Sequence, residues 1–112
     1  RALTGIQVDT HVAVHTIADG IAVRVPVLDA VNDLRGLADD VVAVSEGAIV
    51  AAMRGMISHL GLVVEPAGVV GIAALLTAAH GTYGERVGTI LCGGNVTTEQ
   101  LSEWGVLRAG VE

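Results

Sequence analysis

Three short, unbroken apolar runs constrain this chain more than any other feature. They are Val41-Val42-Ala43-Val44, Leu62-Val63-Val64 and the longer run at residues 87–92. Each hands over to a helix-start or turn signal: Ser45-Glu46, Pro66 and Gly93-Gly94. Length separates such runs from helices, and a continuous run such as 87–92 suits a central strand buried on both faces. With helical stretches between them, they predict an α/β fold with parallel pairing and right-handed crossovers.

The stretches between the runs carry their own punctuation. Residues 7–14 read as a further short strand, and Thr16 with Asp19 reads as a capping box. Pro26 suits the first turn of a helix to about Arg35, with Leu28, Val31 and Leu34 on its inner face and Gly36 at its end. Ser45 is an N-cap, and Glu46 favours the positive end of the following helix. Ile49, Met53, Met56, Ile57 and Leu60 recur on one face of that helix, which Gly61 stops. Pro66 opens a helix to about Ala79 that is apolar on every side and therefore expected to be buried. Gly68 and Gly71 would let a neighbour approach it closely. Thr97 and Gln100 form a capping box for a last helix, with Leu101, Trp104 and Leu107 on one face and its end near Ala109.

Composition then excludes several classes. The 112 residues are 52% hydrophobic and only 16% charged, with a net charge of −6. The six basic residues are scattered, and the aromatics are Tyr83 and Trp104. Nucleic acid needs clustered positive charge or stacking aromatics, so it is not an expected partner. The longest apolar run, residues 66–79, is too short to span a bilayer. A lone Cys92 cannot form an internal disulfide, so a cytoplasmic, reducing setting is expected. So apolar a chain is expected to press part of its surface against something else. It reads as a single domain or a fragment over residues 1–112, and its first residue, Arg1, fits a processed chain or a piece of a longer one.

Ligands of open α/β sheets bind beyond the carboxyl ends of the strands. Glu65 and Cys92 both stand at such ends. Cys92 is either a small buried hydrophobe or a thiol facing a ligand. Gly93-Gly94 is either an ordinary turn or a place where backbone meets a ligand. Glu65 either helps the next helix start or is a desolvated site residue. Asn95 either shapes the turn or lines the site. The stretch at residues 16–20 is either a capped turn or a loop pressing its backbone against a flat ligand. His11 and His15 lack the glutamate of a zinc-protease motif, and His59 and His80 sit near helix ends, so no metal site is expected.

Four motifs in order carry a resemblance. Thr16-Ile17-Ala18-Asp19-Gly20-Ile21-Ala22-Val23 is similar to a "TIADGxAV" segment. Asp39-Asp40-Val41-Val42-Ala43-Val44-Ser45-Glu46 is similar to "DDxxxVSE". "LVVEPAG" begins at Leu62 and "LCGGNV" at Leu91. Together they resemble the serine/threonine dehydratase branch of the pyridoxal-phosphate (PLP) enzymes, which includes threonine ammonia-lyase, serine racemase and hydroxyaspartate dehydratases.

The resemblance implies the C-terminal part of the large, parallel-sheet domain of a fold-type II enzyme, similar to the tryptophan synthase β chain. It implies PLP as cofactor in the complete enzyme, with Cys92 against the pyridine nitrogen. Gly20 would pack on one face of the ring, and Gly93, Gly94, Glu65 and Asn95 would line the site. A thiol is a weak, neutral partner and would leave the ring a milder electron sink. The family holds its cofactor as a Schiff base on a lysine, and this chain contains no lysine. No catalytic residue is therefore expected in this chain. Its partners would be the upstream N-terminal part of the enzyme, a small hydroxy amino acid and further copies in a homo-oligomer. The implied reaction is loss of water, then ammonia, from L-threonine or L-serine to give a 2-oxo acid. A racemase of the same branch, or a non-catalytic domain derived from it, stays open.

Overall fold

The chain's core is small and helical. The computed structural model describes residues 13–107, so most of the strand expected at residues 7–14 lies outside the described residues, while the last helix, expected to run to about Ala109, ends instead at Glu103, before Gly105 at φ 65°. Four α-helices follow in order: α1 (Leu28–Leu34), α2 (Glu46–Gly55), α3 (Val70–Thr77) and α4 (Thr98–Glu103). A 3-10 turn at Asp19–Ile21 precedes α1, and another at Pro66–Val69 leads into α3.

Local chemistry explains α2 and α4. The Ser45 hydroxyl accepts the Ala48 N–H at 3.2 Å and satisfies one of the free donors at the start of α2. Beyond Gly55 the helix widens into a π turn, Met56–Leu60, and stops at Gly61, whose φ is 65°. At α4 the capping box is complete: Thr97 Oγ1 accepts from Gln100 N–H at 3.2 Å, and Gln100 Oε1 accepts from Thr97 N–H at 2.9 Å. Glu99, in the same first turn, has its carboxyl held below its ordinary value by a backbone hydrogen bond and then by one with Thr97.

The apolar stripe of α2 faces inward over its first three members, while Ile57 is only partly buried and Leu60, expected on the same face, is exposed. Ile49, Met53 and Met56 are buried with Ala48 and Ala52. They meet Val69 and Ala73 of the Pro66–Val69 turn and α3, Val64, Leu101 of α4, Val106 and Ala18. Arg54, off that stripe, ties α2 to the end of α4: its Nε and Nη2 donate to the Gly105 carbonyl at 2.9 and 2.6 Å. Met53 is 1% exposed at the centre of this cluster. Met53→Ala removes its contacts and leaves a cavity, so it should lower stability by about 2–5 kcal/mol, read as a fall in the urea midpoint.

Several expectations are corrected. α1 begins at Leu28 after an N-cap at Val27, so Pro26 lies outside the helix. Leu28 and Leu34 of its expected inner face lie open to solvent, Leu28 being 76% exposed, and Val31 is only partly buried. Thr16 makes no capping box: its hydroxyl accepts the Ala18 N–H at 3.1 Å and shapes the turn before Asp19–Ile21. The helix after Glu65 starts as a tight 3-10 turn before α3, and Leu76 is exposed, so it is not buried all round.

The expected sheet is the main departure. Among the described residues no strand is formed at 41–44, 62–64 or 87–92. A strand exists only through its ladder, and these segments have almost none. One backbone bond, from Glu65 N–H to the Gly93 carbonyl at 3.1 Å, joins the second and third among the described residues. Many of their side chains are open as well: Val41, Val63 and Ile90 are exposed, while Val64 reaches the core. The accessible surface is 8467 Å², roughly half as much again as the ~5,700 Å² of a compact monomer this size. The molecule is a slab about 20 Å thick, with segment 87–93 lying against the Pro66–Val69 turn and α3.

Candidate functional site

The Glu65 carboxylate gathers the candidate site. Glu65 follows the apolar segment 62–64 and is held in extended backbone (φ −67°, ψ 159°) by the Pro66 that starts the next turn. It does not cap that turn with its side chain. Instead Oε2 accepts the main-chain N–H of Asn95 at 2.8 Å, thirty residues away. The side chain is thus spent on the Asn95 turn and not on a hydrogen-bonded cap.

The turn that Glu65 reaches is built by glycine. Gly93 has φ 76°, a left-handed conformation that a side chain would strain. A Cβ there would also lie 2.6 Å from both carboxylate oxygens of Glu65. Only glycine admits both the turn and the carboxylate. Val96 N–H then donates to the Gly94 carbonyl at 2.9 Å and closes the turn before Thr97 caps α4.

The loop at residues 16–21 approaches from the other side. A Cβ on Gly20 would lie 3.1 Å from the Ala67 Cβ and 3.6 Å from Glu65 Oε1. Gly20, Glu65, Gly93 and Asn95, expected from sequence to share one site, therefore meet around one carboxylate. Gly94 lies beside them, a Cβ there falling 3.5 Å from the Val63 carbonyl. Cys92 precedes the turn; its carbonyl lies over Gly68, and its thiol is free and exposed. The reading of Cys92 as a buried hydrophobe is thus corrected.

Glu46 belongs to the same assembly, and sequence reasoning missed it. Its position suggested only a helix-dipole role. Its Oε2 also accepts the Ile17 N–H at 3.1 Å and fastens the Gly20 loop to the start of α2. Nothing local signals a contact across 29 residues.

Other features do not join the site. Among the described residues no group of three or more His, Cys, Asp and Glu side chains is placed to hold a metal. No helix there is long and apolar enough to cross a membrane.

Comparison with known proteins identifies the family. The family model for pyridoxal-phosphate dependent enzymes matches residues 1–93. The chain is 37% identical over 98 residues to an L-threonine ammonia-lyase of Geobacter sulfurreducens, covering 85% of this chain and 24% of that protein. It is 35% identical over 97 residues to an L-threo-3-hydroxyaspartate ammonia-lyase of a Pseudomonas species, covering 87% and 30%. It is 33% identical over 99 residues to the catabolic L-threonine dehydratase of Escherichia coli K12, again covering 87% and 30%. The chain therefore spans between about a quarter and a third of the length of these relatives. No solved structure gives a significant match. With a family model covering most of its length, the chain belongs to the pyridoxal-phosphate dependent enzymes.

Proposed function

We propose that this chain is the C-terminal part of the large domain of a fold-type II PLP lyase that acts on L-threonine or L-serine. The observation that carries the reading is the meeting of Gly20, Glu65, Gly93 and Asn95 around one carboxylate, next in the chain to Cys92, whose thiol is free. The relatives named as ammonia-lyases and dehydratases of hydroxy amino acids support the reaction class. The uncovered segments 41–44, 62–64 and 87–92 would complete a parallel sheet with strands from the rest of the enzyme. Their exposed backbone and side chains favour this, because an isolated edge of that kind seeks a partner. A homo-oligomer in a cytoplasmic setting belongs to the same reading.

The residues fit one end of the cofactor. At the start of the Gly93–Gly94 turn, Cys92 would offer its free thiol to the pyridine nitrogen. The aldehyde end needs a lysine that this chain does not contain. PLP supplies an electron sink for charge at the substrate α-carbon. The chain's own task would be to hold the ring end: Cys92 would leave the ring nitrogen unprotonated, Gly20 would lie against the ring, and Asn95 would line the site.

The test mixes this chain with the N-terminal segment of a relative, PLP and L-threonine. A visible band of bound cofactor and release of 2-oxo acid are both expected, and only in the mixture. A band without oxo acid would move the reading toward a racemase, which chiral analysis with L-serine would detect. Neither signal from folded, associated pieces would overturn the enzyme reading in favour of a non-catalytic domain.

A further inference from the structure

We propose that Glu65 is a positioning residue whose carboxylate sets the gap between the Cys92 turn and the Gly20 loop. This rests on the PLP reading above for its consequence, but not for its geometry.

Glu65 grips the turn twice. Its main-chain N–H donates to the Gly93 carbonyl at 3.1 Å, and its Oε2 accepts from Asn95 N–H at 2.8 Å. The two bonds bracket Gly94 and fix the direction in which the chain leaves Cys92. Oε1 faces the other wall, 3.6 Å from where a Gly20 Cβ would be. The glutamate itself has little freedom. Pro66 restricts it, and its carbonyl accepts from Gly68 N–H at 3.0 Å within the following turn. A half-buried carboxylate accepting a backbone N–H makes a charge-assisted bond, stronger than a neutral one.

The far end of the loop is held in a similar way. Glu46 Oε2 accepts from Ile17 N–H, so the loop hangs between a carboxylate on α2 and the carboxylate of Glu65. Of these two carboxylates, Glu65 is the one bonded to the Cys92 turn, and it faces the loop beside Ala67. Glu46 is thus a built-in comparison: its loss should loosen the loop and leave the turn in place.

The experiment uses the assembled enzyme with Glu65→Gln, Glu65→Asp, Glu65→Ala and Glu46→Gln. Amide exchange at Asn95 and the rate of Cys92 alkylation are measured before PLP is added. The position of the bound-cofactor band and the kinetics are measured afterwards. Glu65→Ala should speed Asn95 exchange about tenfold, the size expected for one lost charge-assisted bond. Glu65→Asp should behave like Ala, because the shorter side chain does not reach. Glu65→Gln should keep most of the protection, since its amide oxygen can accept the same N–H. Cofactor band and turnover should follow the same order, with Gln above Asp. Glu46→Gln should leave Asn95 exchange unchanged.

Two results overturn the proposal. One is unchanged Asn95 exchange in a folded Glu65→Ala. The other is turnover kept by Asp and lost by Gln, the order of a group that carries a proton. The exchange and alkylation readouts contain no PLP. Failure of the cofactor reading therefore leaves this test standing, and failure here leaves the cofactor binding test intact.

Discussion

Replacing Cys92 by aspartate in the assembled enzyme is expected to lower turnover on the order of a hundredfold, the scale of changing one electrostatic partner at a reacting centre. The thiol is free and exposed immediately before the Gly93 turn. In the proposed site a thiol, a weak hydrogen-bonding group, would favour an unprotonated pyridine nitrogen. A carboxylate in its place favours the protonated ring and alters how charge is drawn from the substrate. It also brings a second negative charge into the neighbourhood of the Glu65 carboxylate. Cys92→Ser keeps a neutral hydroxyl of similar size and should retain most of the activity. The measurement is kcat for 2-oxo acid release, with cofactor occupancy followed by its visible band. Equal turnover for Cys92→Asp at full occupancy would remove Cys92 from any role at the ring.

What the sequence made legible was mostly local. Ser45 and the Thr97–Gln100 box needed only the next turn of helix to be recognised, and both cap as read. The stripe of Ile49, Met53 and Met56 points to the core because a 3.6-residue period leaves it no other face to bury. The grouping of Gly20, Glu65, Gly93 and Asn95 came from the order of the motifs, not from periodicity. Periodicity alone left each of them with a structural alternative. Glu65 shows why: its partner is thirty residues away, and a helix-start position looks the same whether the carboxylate turns inward or outward.

The misreadings share one cause. α1 has apolar residues at helical spacing, yet Leu28 and Leu34 face solvent because nothing described packs on that side. The segment at 87–92 has the composition of a central strand, but composition cannot supply neighbouring strands. Sequence reports what a segment is suited to meet. Whether the partner is within reach is a property of the whole assembly, and this chain spans less than a third of its relatives' length.

Gly68→Ala should be strongly damaging, because the obstacle it meets is backbone. A Cβ at Gly68 would fall on the Cys92 carbonyl oxygen, 2.9 Å from that carbonyl's carbon and 2.8 Å from Val64 Cγ1. The obstacle is backbone, which cannot rotate away as a side-chain tip can. Either the Pro66–Val69 turn or the Cys92 segment has to move, and overpacking of this kind costs about 1–3 kcal/mol. The same movement displaces the turn that Glu65 holds, so stability and site should fail together. The urea midpoint should drop and the Cys92 alkylation rate should change in the same variant. Gly47→Ala is the matched control. Its Cβ meets nothing within 4 Å and lies in α2, so added helix propensity should raise stability by up to ~1 kcal/mol. If Gly68→Ala instead matched Gly47→Ala in both midpoint and thiol reactivity, the close packing of Cys92 on the Pro66–Val69 turn would be wrong. The placement of the candidate site on that turn would fall with it.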